Sequence, residues 1–405
     1  MSAGRSPTVE RVLSGDLCTG CGLCAAVSGG AIAMDAGSGV NRPEQRGAVS
    51  AESERMIAEA CPGAVVADWV EAPNTHPYWG PWRRVATGHS TDEAVRFKAS
   101  SGGALTALAL HALKSGLVDR VVHVLPDPQT PTGNIVTCSS DPADIIEGAG
   151  SRYAASSPLA AIDQVLSDGG SVAFVGKPCD VSALRRLGRL DPRVERHVPL
   201  AMAFFCAGVP NQAGVRRILQ AMAMAPDEVA SFRYRGQGWP GQAVAVARDG
   251  RTAEMSYAES WGDYLAPQVQ FRCKICPDAV GGSADIACAD AWESDARGYP
   301  ILEERDGRSL IMARTAFGER FLEEAVATGA LTTRPLAVEA IDGMQPSQAY
   351  RKRAFRARTA ALRVTLRPAP VARGVMAHEA ATRAPIRDQI KNFLGTIRRV
   401  VFKRR

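Results

Sequence analysis

Apolar positions along the chain change pattern in a regular way. Over residues 102–115, Leu105, Leu108 and Leu113 recur among alanines at helical spacing and the run stops at Gly116; residues 121–125 then form a short β-branched block of strand length. Helix and strand signals keep alternating: helix over 159–166, strand over 171–175, helix over 181–190, strand over 199–205, helix over 213–224. That alternation predicts an α/β domain (α+β for the whole chain) with a mainly parallel sheet. Past residue 232 the pattern becomes irregular and rich in Gly, Trp and Arg, as expected of loops around a ligand or of surface connections. Ahead of it all, residues 1–70 hold short segments and a cysteine cluster. The stretch EAPNTHPYWGPW (71–82) reads as a Pro-rich linker, so a new domain is expected to begin near Arg83. No internal repeat is visible.

A chain of 405 residues suggests two or three domains, and 46% hydrophobic with 22% charged residues is the composition of an ordinary globular protein. The longest apolar run, 200–209, falls well short of the ~18–20 residues that cross a bilayer. The first twenty residues lack the apolar core of a secretory signal, so the expected location is cytoplasmic. The net charge of +6 hides an asymmetry. Residues 351–405 carry 16 Lys/Arg against Glu379 and Asp388, a balance of +14, which leaves −8 for residues 1–350. An acidic body with a basic tail does not suggest a protein wrapped by nucleic acid.

Ten cysteines exceed what packing needs, and in a reducing compartment they point to metal or redox chemistry rather than disulfides. Cys18, Cys21 and Cys24 form C-x-x-C-x-x-C, a spacing that brings three thiolates onto one cube. A ferredoxin with two clusters would place a fourth cysteine where Ser28 stands, so that second cluster is not expected. The remote Cys-Pro that completes such a site is supplied by Cys61-Pro62, which assigns Cys18, Cys21, Cys24 and Cys61 to one [4Fe–4S] cluster. A zinc knuckle or free surface thiols are the alternatives. Cys179 and Cys206 each follow a predicted strand, and Cys273 and Cys276 share one loop. These four suit a second cluster, or equally two core thiols and a redox dithiol. Cys138 and Cys288 lie in strand-like segments and read as core. Ser100-Ser101-Gly102-Gly103 precedes a helix, where free N–H groups and the helix dipole can hold a phosphate; the same tetrad also serves as a plain helix cap. Asp285 and Asp290 could accept hydrogen bonds from a ribose or a ring, or simply be solvated acids.

The strings LCTGCGLC, KASSGGALTALALHAL, SGLVDRVV, GSRYAAS, VGKPCDVSALRRL, FFCAGVP, FRYRGQGWPG, ESWG, RCKICPD and ADIACADAW occur in this order. Together they resemble the coenzyme F420 hydrogenase/dehydrogenase beta-subunit family, from about residue 18 to 292 and more weakly to 345. The resemblance implies a ferredoxin-like iron–sulfur module (1–70) followed by a flavin-binding α/β domain in two parts (83–165 and 166–345) and a basic tail (346–405). It implies an oxidoreductase with FAD and two [4Fe–4S] clusters. Relatives reduce or oxidise the F420 deazaflavin, or use ferredoxin electrons on other acceptors such as a hydroxymethyl chlorophyll. Carried over by motif, Cys179, Cys206, Cys273 and Cys276 would bind the inner cluster. Ser100, Ser101, Gly102 and Gly103 would line the FAD phosphate, Ser151, Arg152 and Tyr153 would flank the flavin, and Lys177 would approach its ring or phosphates. Asp285 and Asp290 belong to the motif ADI-x-x-GDAW, in which Ala289 replaces the usual glycine. No side chain is singled out as catalytic, since flavin N5 would carry the hydride.

Implied partners are ferredoxin or a partner redox subunit, and a small-molecule acceptor. A subunit that only relays electrons within a larger complex is the competing reading, and a zinc-bound structural protein a third. In the tail, Ile386, Ile390, Phe393, Leu394, Ile397 and Val401 recur at helical spacing among Arg387, Lys391, Arg398, Arg399 and Lys403. Such a helix suits peripheral contact with an anionic membrane surface, or packing on the body or on a partner subunit.

Overall fold

The computed structural model describes residues 4–37, 39–295 and 300–402. Its centre is an eight-stranded sheet built from β1 (Arg84–Ser90), β2 (Arg120–Pro126), β3 (Asn134–Ser139), β4 (Val172–Gly176), β5 (Leu200–Phe204), β6 (Ile286–Asp290), β7 (Ser309–Ala313) and β8 (Leu331–Pro335). Their spatial order is β8-β1-β7-β6-β5-β4-β2-β3. The helices of eight residues or more are α1 (Pro7–Ser14), α2 (Ala51–Ala60), α3 (Ala104–Lys114), α4 (Pro178–Gly188), α5 (Gln212–Ala221), α6 (Ala316–Ala327), α7 (Pro346–Val364) and α8 (Ile386–Val401).

The expected mainly parallel sheet is corrected to a mixed one. Only β2–β4, β4–β5 and β5–β6 are parallel, while β2–β3, β6–β7, β7–β1 and β1–β8 are antiparallel. The alternation of helix and strand between 104 and 204 supplies the crossovers that parallel neighbours need. After β2, however, residues 127–133 are too few for a crossover, and β7 folds back on β6 with no intervening helix among the described residues, so both flanks run antiparallel.

Alternate residues of the central strands face opposite sides. Leu200 and Met202 of β5, with Ile286 of β6 and Ile311 of β7, pack under Leu108 of α3 and Leu322 of α6. Ala201, Ala203 and Ala287 meet Val181 and Leu184 of α4 on the other face. With both faces covered, the inner strands are continuous apolar runs. A three-stranded antiparallel sheet, Val229–Arg233, Ala243–Ala247 and Thr252–Met255, packs with α5 around a separate core that includes Tyr234 and Phe232.

The N-terminal segment is sewn to the rest at several points. Ala60 at the end of α2 packs with Leu184 and Leu187 of α4, the Ala67 N–H donates to Ser182 Oγ at 2.8 Å, and Val65–Val66 pairs in parallel with Val371–Ala372. The basic C-terminal segment is folded from its start. α7 buries Lys352 and Arg358, and α8 lies along α7. Lys403 lies outside the described residues. No helix among the described residues is long and apolar enough to cross a membrane.

Candidate functional site

Cys18 and Cys21 lie in the loop after α1, Cys24 in the short helix Leu23–Ala26, and Cys61 caps the C-terminus of α2. Gly22 makes the turn that brings them together: its φ is +89°, and a Cβ there would stand 2.6 Å from the Ala160 backbone nitrogen. Neighbouring backbone ties fix the loop to the sheet domain, Leu159 N–H donating to Cys21 O at 2.9 Å and Ser157 Oγ to Gly20 O at 2.9 Å. All four thiols are buried enough to have raised pKa values. Burial is the first cause for Cys61, pushed up to about 11, followed by the charge of Cys18; Cys24 and Cys61 likewise oppose ionisation of Cys21. The four are therefore close neighbours electrostatically.

The second group is assembled from three places. Cys179 is the second residue of α4, directly after β4; Cys206 follows β5; Cys273 and Cys276 belong to the loop around Phe271–Lys274. Burial and then Cys273 push Cys206 up to about 12, and Cys206 and Cys276 both oppose ionisation of Cys179. The Val209 N–H points at Cys273 Sγ at 3.4 Å. Basic side chains of α7 grip the surrounding backbone: Arg351 donates to Cys206 O at 3.0 Å and Ala207 O at 2.7 Å, Lys352 to Pro277 O at 2.7 Å, and Arg358 to Lys274 O.

Two ionisable groups act on both quartets. The Arg272 guanidinium, buried and bonded to Pro62 O at 2.8 Å, lowers Cys18 and Cys61 in one group and Cys276 in the other. Asp180, fully buried, raises Cys21 and Cys179. Among the described residues no three His, Cys, Asp or Glu side chains meet in the arrangement of a site for one metal ion.

Beside the second group opens a cavity of about 290 Å³, lined by Ser100, Ser101, Gly103, Ser151, Arg152, Tyr153, Lys177, Cys206, Asp290 and Trp292 among others. It sits at the carboxyl ends of the parallel strands β4 and β5, where open α/β sheets place ligands. One wall is the N-terminus of α3, where Ser309 Oγ from β7 accepts from the Gly102 N–H at 3.0 Å and the Ala104 N–H at 3.4 Å; Gly103 there is left-handed at φ +73°, and a Cβ on Gly102 would stand 2.6 Å from Gly88 O. Ser100 Oγ meets Ser151 Oγ at 2.7 Å, whereas Ser101 Oγ is turned to Arg308 O at 3.0 Å and Ser309 Oγ at 3.1 Å. Lys177 is buried with its Nζ 2.7 Å from Asp180 and within 3.3 Å of Ser156 Oγ. Burial works against its charge, but Asp180, Cys179 and Cys206 outweigh burial and hold its pKa above the usual value.

The sheet domain is similar to known proteins over most of its length. Residues 85–163 match the N-terminal part, and residues 169–339 the C-terminal part, of the coenzyme F420 hydrogenase/dehydrogenase beta subunit. The chain belongs to this family. It is 25% identical over 262 residues to the coenzyme F420 hydrogenase subunit beta of Methanococcus voltae, covering 63% of this chain and 85% of the relative. Against the F420-dependent formate dehydrogenase 1 subunit beta of Methanococcus maripaludis the identity is 24% over 249 residues, 60% of each chain. In fold it is similar to a chain of the F420-reducing [NiFe] hydrogenase complex from Methanosarcina barkeri, with a TM-score of 0.52, 23% identity, and 69% of this chain and 95% of that chain covered. Family members so named are subunits of oxidoreductases.

In this beta-subunit relative, the residues singled out from sequence separate into three groups. By their influence on one another's ionisation, Cys18, Cys21, Cys24 and Cys61 form one group and Cys179, Cys206, Cys273 and Cys276 another, while Cys138 lies on β3 and Cys288 on β6, the latter buried and on the cavity wall. Arg152 lines the cavity but spends its donors on Asn134 Oδ1, Pro131 O and Gly133 O, and burial lowers its pKa. Asp285 stands apart from the cavity: it pairs with Arg185 at 2.7 Å and accepts from Ala201 N–H and Thr315 Oγ1, joining β5, β6 and α6. Asp290 lies on the wall, held by both terminal guanidinium nitrogens of Arg235 at 2.6 and 2.8 Å and by Trp239 Nε1 at 2.8 Å.

Arg235 was not singled out from sequence. It is buried against the rings of Tyr257 and Trp292, at 4.6 and 4.9 Å from their centroids; those two rings stack on each other at 5.9 Å, and Trp239 stacks on Trp292 at 4.7 Å. The signal was its place in FRYRGQGWPG, an arginine amid glycine and tryptophan and far from any helical or strand period.

Proposed function

We propose that the chain is an iron–sulfur flavoprotein oxidoreductase, with [4Fe–4S] clusters on Cys18, Cys21, Cys24 and Cys61 and on Cys179, Cys206, Cys273 and Cys276, and FAD in the cavity. The grouping of eight thiols into two neighbouring fours, with Cys206 of the second group also on the cavity wall, carries this reading. The donor set fits. Burial keeps free thiols protonated here, and iron supplies the positive charge that buried thiolates require. When bound, these groups would supply one-electron steps at the clusters and hydride exchange at the flavin.

The protein's part would be placement. The first turn of α3, with Gly103, Leu105 and Thr106 on the cavity, would present the positive end of its helix to a phosphate, while Ser309 Oγ holds the Gly102 and Ala104 N–H groups. Lys177 keeps a positive charge between the second thiol group and the cavity, available to a negative charge developing on a ring. Arg152 and Tyr153 shape the far wall, and Asp290 offers acceptor atoms already oriented by Arg235. A larger cleft of about 760 Å³, lined by Arg42, Lys274, Arg367 and Arg399, lies beside Cys18, whose ionisation Arg42 favours. Such a basic cleft suits docking of an acidic electron carrier such as ferredoxin. The acceptor or donor of hydride would be a deazaflavin or another conjugated ring. A relay subunit within a larger complex is the second reading, favoured by the relatives' being beta subunits of multi-subunit enzymes.

Anaerobic reconstitution tests the proposal. About eight irons per chain, together with one flavin and reduction of that flavin by ferredoxin, are the expected result; a colourless, flavin-free chain would refute it. Turnover of a deazaflavin by the chain alone separates the enzyme from the relay.

A further inference from the structure

α8 is amphipathic, and it is mounted the wrong way round for a helix that only completes a core. At ~100° per residue, Ile386, Ile390, Leu394, Ile397 and Val401 fall within one arc of about 80°, and Arg387, Lys391 and Arg398 occupy the arc beside it. The helix packs on α7 through its polar side. Asn392 and Thr396 are its buried residues; Asn392 Oδ1 accepts from Arg358 Nε at 3.0 Å and Tyr350 OH at 3.2 Å, and Gln389 Nε2 donates to Arg353 O at 3.1 Å. Ile386, Ile390, Leu394, Val401 and Phe402 keep 54–79% of their surface exposed. At the same end, Leu362 of α7 packs near Val400, and Val364 and Leu366 beyond it are exposed at 67% and 93%. A soluble surface rarely lines up so much aliphatic area without a partner for it.

We propose that α8 docks this protein onto an anionic lipid bilayer, the aliphatic arc entering the acyl boundary and Arg387, Lys391 and Arg398 reaching the headgroups. Charge decides for this occupant. The segment 351–405 carries +14, Asp388 is the single acid on α8, and the basic row borders the apolar arc directly, so the long side chains can snorkel to phosphate while their stems stay on the apolar side. Since the polar side already meets α7, docking requires no rearrangement of the body. The two uses that the sequence left open for this helix, packing and surface contact, are taken by opposite faces.

Sedimentation of the full, cofactor-loaded chain with vesicles tests this. Binding to vesicles of phosphatidylglycerol and phosphatidylcholine is expected, with none to phosphatidylcholine alone, and added salt should weaken it. Ile390→Asp with Leu394→Asp should weaken binding by about tenfold or more, and Arg387→Gln with Lys391→Gln and Arg398→Gln should reduce both affinity and salt dependence. Thermal unfolding should be unchanged in both variants, because these side chains are exposed. No binding to the anionic vesicles, or equal binding by the aspartate variant, overturns the proposal. So does a wild-type dimer that ignores lipid and becomes monomeric in that variant, since a second copy would then cover the arc.

Discussion

The two cysteine neighbourhoods reach the same composition by opposite routes. In the first, three thiols sit within seven residues and a glycine turn folds them together, and only Cys61 comes from elsewhere, at the end of α2. In the second, Cys179 and Cys206 are delivered by adjacent parallel strands and Cys273 and Cys276 by a remote loop, and the basic side chains of α7 hold that backbone in place. The first is a local device that depends on a turn. The second exists only when the central sheet, the loop and the C-terminal helix are all assembled, and it is the one that opens onto the cavity.

The largest effect that would break this contrast is loss of a cluster. Cys206→Ser should remove about four of roughly eight irons and abolish flavin reduction by ferredoxin, while Cys21→Ser should remove a similar amount and leave direct chemical reduction of the flavin intact; iron analysis and anaerobic spectra read both. If the second site depends on tertiary order, its buried ion pairs matter next. Asp290→Ala leaves Arg235 buried and unpaired, and should cost about 3–5 kcal/mol in denaturant unfolding, with loss of flavin binding in parallel. For the first site the equivalent weak point is the turn. Gly22→Ala, forced into φ +89° against Ala160, should cost about 1–3 kcal/mol and release the outer iron before the inner in a chelator time course.

Arg272 sharpens the comparison because both groups feel it. Removing its charge in Arg272→Gln favours the oxidised form of each cluster, so both midpoint potentials should fall by on the order of tens of millivolts, measured by titration under argon. The smallest effect concerns the cavity wall. Burial holds His123 below its ordinary pKa, with Nε2 at 3.0 Å from Ser139 Oγ. The unfolded chain therefore takes up the proton first. This group makes stability fall as the pH drops below the unfolded value of about 6.5 and leaves it flat above. His123→Asn should remove that slope in urea unfolding measured from pH 5 to 8.

Much of this was legible beforehand, because some physics is local. The spacing of Cys18, Cys21 and Cys24, the helix–strand alternation between 104 and 204 and the amphipathic period of α8 depend on neighbours in the chain, and local spacing survives folding unchanged. Where partners come from far away, the sequence was silent or misleading. Nothing in ADIACADAW distinguishes Asp285, which the fold turns onto Arg185, from Asp290, which it turns onto the cavity; strand alternation alone cannot say which facing element will supply the cation. The antiparallel flanks of the sheet and the packing of Arg235 against Tyr257 and Trp292 are likewise contacts across long loops, whereas Cys179, Cys206, Cys273 and Cys276 were grouped only through the family motifs, since their spacing left a core-thiol reading equally open. The orientation of α8 belongs with them: its period fixes that it has two faces, but only packing against α7 decided that the polar one would be buried, because Arg358 and Tyr350 were there to satisfy Asn392.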